Sequence, residues 1–321
     1  MNTFPELLQS FGDRFKQFRF PVSPVNLYAP NDYFLSLGGK RIRPVLCLLG
    51  NQLFGTLTED AYQLAGAIEL FHNFTLIHDD IMDKADLRRG KETVPKKYGN
   101  NTAILSGDVM MIKAYEMLEE INPSKLPEIL PLFNKTAREV CEGQQLDMDF
   151  EVLPTIAFDE YLNMIRLKTS VLIAASLEMG AILNNATKED REYIYAFGLN
   201  LGIAFQIQDD YLDAFGDPEK FGKTVGGDIK QDKKTFLLIY ALEHANVPDL
   251  TKLNALLQTD TDNKVADVLA IYKSCKADSW TKELITKYKS IAMDNLSKVK
   301  ADESTKQPLY ELAEYLIERE S

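Results

Sequence analysis

The chain has 321 residues, with 36 Lys and Arg against 48 Asp and Glu; the formal charge of −12 has the wrong sign for a protein that coats nucleic acid. Its three cysteines, Cys47, Cys141 and Cys275, lie far apart without the close pairs of zinc or redox motifs, which predicts reduced thiols and a cytoplasmic setting. The most apolar windows, 61–77 and 171–183, are interrupted by Gln63, Glu69, His72 and Asn73 or by Glu178, so no transmembrane segment is expected.

From the N-terminus, "MNTFPELLQSFGDRFKQFRF" mixes acids and bases and holds no apolar core of signal-peptide length. Apolar residues then recur at helical spacing, as at Leu64, Ile68, Phe71 and Thr75, while alternating β-branched runs are nearly absent. The pattern predicts an all-α protein of about 10 to 13 helical segments. Breaks are expected where Pro, Gly, Asn and Asp cluster, at "FPVSPVNLYAP", "KYGNN", "INPSKLPEILP", "FGDPEKFGKTVGG" and "HANVPDL". With no repeat, low-complexity tract or flexible linker, one helical domain over 1–321 is expected.

In chain order, "GGKRIRP" (38–44) sets a glycine pair before Lys40, Arg41 and Arg43, with Pro44 beginning a helix or ending the turn. It reads either as a solvated basic loop or as amides and cations suited to an anion. His72 either satisfies a core hydrogen bond or belongs with the charges that follow it. "LIHDDIMDKADLRRG" (76–90) places Asp79 and Asp83 four apart, stacked on one helical face, with Asp80 about 100° around. Arg88 and Arg89 follow, with forked guanidinium groups that match phosphate oxygens.

"FQIQDDYLD" repeats the acidic spacing at Asp209, Asp210 and Asp213, with Gln206 one turn earlier. One such cluster alone reads as a solvated helix end, but two in matching context point to a metal site. Oxygen-only ligands favour Mg²⁺, Mn²⁺ or Ca²⁺ over zinc, and Mg²⁺ commonly joins one or two carboxylates to substrate phosphates. "FGKTVGGDIKQDKKT" (221–235) adds Lys223 and Lys233 around a Gly-Gly turn, either as a mobile lid or as a plain surface loop.

These stretches, with "EGQQLDMDFE", "YLNMIRLKTS" and the closing "LAEYLIERES", occur in an order and spacing that resemble the trans-isoprenyl diphosphate synthases, the head-to-tail prenyltransferases, over nearly the whole chain. The resemblance implies an isoprenoid-synthase helical bundle around a central cavity, usually homodimeric, with three Mg²⁺ at its mouth. Asp79 and Asp83 are implied to hold two ions and Asp209 the third, with Asp80, Asp210 and Asp213 ligating or orienting waters. Arg88, Lys168, Lys223 and Lys233 are implied to grip the allylic diphosphate. Lys40, Arg43, His72 and Arg89 are implied to bind isopentenyl diphosphate, while Gln144 and Asp147 line the site.

The charge pattern suits that chemistry, since metal ions and cations stabilise the negative charge that grows on a departing diphosphate. By resemblance, Thr169 and Gln206 stabilise the allylic cation beside Lys168, and the released diphosphate takes the proton. No Ser-His-Asp set or reactive cysteine is evident among only three histidines, His72, His78 and His244.

The helix before Asp79 is expected to wall the space in which the product grows, with Phe74 about 7.5 Å and Phe71 about 12 Å along its axis. Rotation sets Thr75 about 40° and Phe74 about 140° from Asp79, so geometry alone does not nominate Phe74. The resemblance does, because an aromatic five positions before the first aspartate accompanies short-chain enzymes. It implies C15 to C20 products, leaning to geranylgeranyl diphosphate, with Phe71, Phe74 and Thr75 as chain-length residues. Core packing is the alternative reading of both phenylalanines.

The chain departs from bacterial farnesyl diphosphate synthases, which carry two extra residues between the aspartates, and from animal enzymes with paired aromatics, since Thr75 stands here. "DDYLD" argues against a terpene cyclase, and retention of the aspartates and arginines argues against a non-catalytic partner subunit. An acidic Ca²⁺-binding helical protein leaves Lys40, Arg43, Arg88, Arg89 and Lys223 unexplained.

Overall fold

The computed structural model describes residues 2–216, 226–257, 259 and 261–318. Among them are α1 (Phe4–Phe15), α2 (Val25–Ser36), α3 (Ile42–Leu53), α4 (Glu59–Met82), α5 (Val94–Tyr98), α6 (Asn100–Glu119), α7 (Leu126–Val152) and α8 (Phe158–Ile165). A π-helical turn (Arg166–Ser170) leads into α9 (Val171–Leu183) and α10 (Lys188–Phe215). Then follow α11 (Gly227–Lys230), α12 (Phe236–His244), α13 (Val247–Leu256), α14 (Lys264–Ser274), α15 (Ala277–Lys298) and α16 (Glu303–Glu318).

The all-α expectation is met, with one small addition: β1 (Leu87–Arg88) and β2 (Lys91–Glu92) form an antiparallel hairpin. Sixteen α-helices among the described residues exceed the expected number because short pieces such as α5 and α11 carry too little periodic sequence to register. Three expected breaks are narrower than predicted. Pro30 lies inside α2 and Pro131 inside α7, and only 120–125 separate α6 from α7. In "HANVPDL" only Ala245 and Asn246 are non-helical, because Pro248 occupies the first turn of α13, where its missing N–H costs nothing.

The chain groups into two compact units. The first comprises Met1–Phe133, Ser176–Arg191 and Ala301–Pro308; the second comprises Asn134–Ala175, Glu192–Lys300 and Leu309–Ser321. In the first, Thr58 caps α4 by accepting from the Ala61 N–H at 3.2 Å, with Glu59 and Asp60 in the favoured acidic first turn. Helix α4 is apolar nearly all round from Leu64 to Phe74, as a helix buried on most sides must be. Helix α3 meets the Ser176–Leu183 part of α9 at backbone distance: a Cβ on Gly180 would lie 2.0 Å from the Cys47 carbonyl oxygen. Asn51 seals this contact by donating to the Gly180 carbonyl at 3.1 Å.

In the second unit, α12 packs its Leu237, Leu238 and Ala241 with Val268, Ile271 and Tyr272 of α14. Tyr161 of α8 meets the Phe236 ring edge-on at 4.6 Å. Gly143 of α7 and Gly202 of α10 let both helices press against the π-helical turn, where Cβ atoms would lie 2.3 Å from the Lys168 nitrogen and 2.8 Å from the Ser170 Cα. The turn is therefore clamped on two sides within this unit.

Candidate active site

In the first unit the acidic stretch ends a helix. Asp79 and Asp80 occupy the last turn of α4 and Asp83 caps it, its N–H donating to the Asp79 carbonyl at 2.8 Å. The expected i, i+4 relation holds, but at the negative end of the helix macrodipole, where each carboxylate costs about 0.3–1 kcal/mol. That placement weakens the fold and favours a bound cation. Asp80 is fully buried, and Arg88 from β1 donates to its Oδ1 at 2.8 Å while approaching Asp79 Oδ2 at 3.5 Å. Burial raises the Asp80 pKa, opposed by Arg88. The other Asp80 oxygen is buried without a hydrogen-bond partner, an atom that a cation or its water would satisfy.

Near these acids stands a cluster of arginines around His72. Arg41 begins α3 in a left-handed conformation and pairs with the buried Glu69, whose Oε1 also accepts from Asn73 at 2.6 Å. Arg43 Nη1 lies 3.1 Å from His72 Nε2. Burial lowers the Arg43 guanidinium to about 10. Burial first, and then Arg43, Arg89, Arg88 and Arg41, hold the His72 imidazole well below its usual value. A neutral His72 accepts from Arg43 at Nε2, so the guanidinium charge is not shared with a second cation. Arg89 lies across Gly39, where a Cβ would sit 3.0 Å from its guanidinium, so the glycine admits that side chain. Lys40 is exposed at the same turn.

Phe71 and Phe74 are buried one turn apart with ring centroids 5.6 Å from each other. Phe71 also meets Phe133 at 5.4 Å, and Phe74 meets His78 edge-on at 4.8 Å. Thr75 is half-buried and donates to the His72 carbonyl at 2.8 Å.

In the second unit, a cavity of about 620 Å³ is lined by Lys168, Thr169, Gln206, Asp209, Asp210, Asp213 and Lys233, among others. Lys168 rises from the π-helical turn and donates to Asp147 Oδ2 of α7 at 2.6 Å. Thr169 donates to Gln206 Oε1 at 3.4 Å, and Gln206 donates to Asp210 Oδ1 at 3.0 Å. Tyr161 donates to the other Asp210 oxygen at 2.9 Å. Burial and the Asp228 carboxylate push the Asp210 pKa well above the usual range. Lys233 stands 3.6 Å from Asp228, whose backbone N–H donates to Asp213 Oδ2 at 2.9 Å.

Seven residues read from three stretches thus meet in one cavity, and Asp147 from a fourth lines it with them. Gln144 does not line it: it lies one turn before Asp147 on α7 with its amide nitrogen buried. Lys223 lies outside the described residues. Tyr161 and Asp228 stand in stretches singled out above, but no local spacing in the sequence links them to Asp210 and Asp213. Among the described residues, no group of three or more His, Cys, Asp or Glu converges as a closed metal cage. Mg²⁺ does not require one, since it keeps waters and uses phosphate oxygens with one or two carboxylates. The donor sets in both units fit it.

The profile described as polyprenyl synthetase matches residues 24–275. A geranylgeranyl diphosphate synthase of Methanosarcina mazei is 37% identical over 94% of this chain and 92% of its own length. A geranylfarnesyl diphosphate synthase of Aeropyrum pernix is 35% identical over 93% and 96%. A crystal structure of a geranylgeranyl pyrophosphate synthase superposes with a TM-score of 0.95 at 43% identity, covering 100% of both chains. A polyprenyl synthase of Caulobacter crescentus, solved with calcium and isoprenyl diphosphate, gives 0.86 at 27% identity over 99% and 97%.

Proposed function

The chain belongs to the polyprenyl synthetase family and is a trans-prenyltransferase, and on that premise we propose that it joins isopentenyl diphosphate to allylic diphosphates to make C15 to C20 prenyl diphosphates, chiefly C20. The observation that carries this reading is the 620 Å³ cavity, which gathers Asp209, Asp210 and Asp213 with Lys168, Thr169, Gln206 and Lys233. An acidic Ca²⁺ site needs no such cations, and a non-catalytic subunit needs no such polar chain.

Mg²⁺, when bound, neutralises diphosphate charge and makes the group a better leaving group. Asp79 and Asp83 would hold two such ions and Asp209 a third, with Asp80, Asp210 and Asp213 ligating them or orienting their waters. Lys168, Lys233, Lys223 and Arg88 grip the allylic diphosphate. Lys40, Arg43, Arg89 and neutral His72 bind isopentenyl diphosphate. Thr169 and Gln206, already hydrogen-bonded to each other, present fixed dipoles to the allylic cation. The isopentenyl double bond attacks that cation, and the released diphosphate accepts the proton.

Phe74, with Phe71 behind it and Thr75 beside it, limits product length. The same reading takes 1–321 as one polyprenyl synthetase domain acting as a cytoplasmic homodimer without nucleic-acid partners. No described helix is long and apolar enough to cross a membrane.

Diphosphate release tests it. Release must require Mg²⁺, isopentenyl diphosphate and an allylic diphosphate together. Release from the allylic substrate alone would indicate a cyclase, and none under any condition would indicate a non-catalytic subunit.

A further inference from the structure

We propose that Lys264, on α14, is a positioning residue that acts through Asp232 to set the direction of Lys233 in the cavity wall; this rests on the reading that Lys233 grips the allylic diphosphate.

Lys264 is the first residue of α14 and is 3% exposed. Its ammonium meets both oxygens of Asp232, at 2.8 and 2.9 Å. A cation in a first turn opposes the helix macrodipole, and a lysine is rarely this buried, so neither helix stability nor solubility accounts for it. Asp232 in turn holds a left-handed conformation, φ 53°, which aspartate adopts more readily than most residues yet still at a cost.

Asp232 is the hinge of a segment that supplies much of the cavity wall. Asp228, Gln231, Asp232, Lys233 and Lys234 all line it. The Lys233 N–H donates to the Asp228 carbonyl at 2.9 Å, and the Thr235 N–H donates to the Lys233 carbonyl at 2.9 Å. Helix α14 fastens this segment twice. Gly226 at its start presses on Val265, where a Cβ would meet Cγ1 at 2.5 Å, and Asp232 at its turn is held by Lys264. Lys233 itself is half-exposed, so the direction of its side chain depends on that backbone turn.

Removing the Lys264 ammonium has two consequences for the site. The left-handed turn loses the ion pair that maintains it. The Asp232 carboxylate also becomes a competitor for the neighbouring Lys233 ammonium, which a substrate diphosphate must otherwise win. Both weaken allylic diphosphate binding, while the arginine and histidine cluster assigned to isopentenyl diphosphate is untouched.

The test is a double-mutant cycle of Lys233→Ala and Lys264→Met, reading KM for the allylic diphosphate, KM for isopentenyl diphosphate and kcat. Loss of one partner of a buried pair destabilises a protein. The neutral pair Lys264→Gln with Asp232→Asn therefore runs beside Lys264→Met, and the cycle is read from whichever folds. The expected result is a rise of about tenfold in allylic KM for each single change, no further rise when they are combined, and recovery by Lys264→Arg. Independent, multiplying effects, or an allylic KM unmoved by either Lys264 change, would overturn the positioning role while leaving the Lys233 assignment intact. An allylic KM unmoved by Lys233→Ala would overturn that assignment and the positioning role with it.

Discussion

Replacing Gly143 by alanine tests how the π-helical turn is held against α7. The added Cβ would lie 2.3 Å from the Lys168 backbone nitrogen and 2.7 Å from the Leu167 carbonyl carbon and the Lys168 Cα. Ordinary contact begins at 3.4 Å, so the turn and α7 must part by about 1.1 Å. The atoms met are backbone, which no rotamer change can move aside. Lys168 and Thr169 travel with the turn, and Lys168 loses its 2.6 Å contact to Asp147. A misplacement of about 1 Å costs on the order of 100-fold in rate, and overpacking costs about 1–3 kcal/mol of stability. Steady-state kcat with saturating substrates, alongside thermal unfolding, measures both. Gly12→Ala is the control: nothing lies within 4 Å of its Cβ, so it should stabilise α1 by about 0.5–1 kcal/mol and leave kcat alone. Wild-type kcat and stability in Gly143→Ala would refute the claim that this contact positions Lys168.

Asp79→Ala with Asp83→Ala should abolish Mg²⁺-dependent condensation yet hold or raise the melting temperature, since two carboxylates leave the negative end of α4; retained condensation would reject the metal assignment. Phe74→Ala should lengthen products by at least one C5 unit, read by mass analysis, while costing about 3–5 kcal/mol from the aromatic cluster; unchanged products would move the limit to Phe71 or Thr75. His72 gives a pH signature. Its folded pKa lies well below 6.5, so as pH falls through that value the unfolded chain takes up a proton that the folded chain refuses. The His72 contribution to stability is therefore lost as pH falls below 6.5, and His72→Gln should remove that loss in unfolding measurements at pH 7.5 and 5.5; a pH dependence unaltered by the substitution would contradict the assignment.

The acidic clusters were legible because their information is local: aspartates at i, i+1 and i+4 share a helical face wherever the helix lies. The end of α4 within the first cluster was not, since the helix stops where Lys84 turns left-handed, φ 49°, and the Ala85 N–H donates back to the Asp80 carbonyl at 3.0 Å, with no glycine or proline to announce it. Lys168 and Thr169 came only from resemblance. Their π-helical turn has no sequence periodicity of its own and is fixed by Gly143 and Gly202 pressing from two helices. Tyr161 and Asp228 escaped for a related reason, because their hydrogen bonds to Asp210 and Asp213 join residues 49 and 15 positions apart in sequence. Pro30 and Pro131 stand inside helices, where the buried side chains of Pro30 and Phe34 in α2 and of Ile129 and Phe133 in α7 outweigh one lost helical bond each.

The central claim is that this chain is a short-chain synthase, and product analysis tests it most directly. Purified protein is incubated with Mg²⁺, isopentenyl diphosphate and, separately, C5, C10 and C15 allylic diphosphates, and the chain lengths are read by mass. A dominant C20 product from each primer, lost on chelation of the metal, is the predicted result. A folded protein that elongates none of the three primers would contradict it.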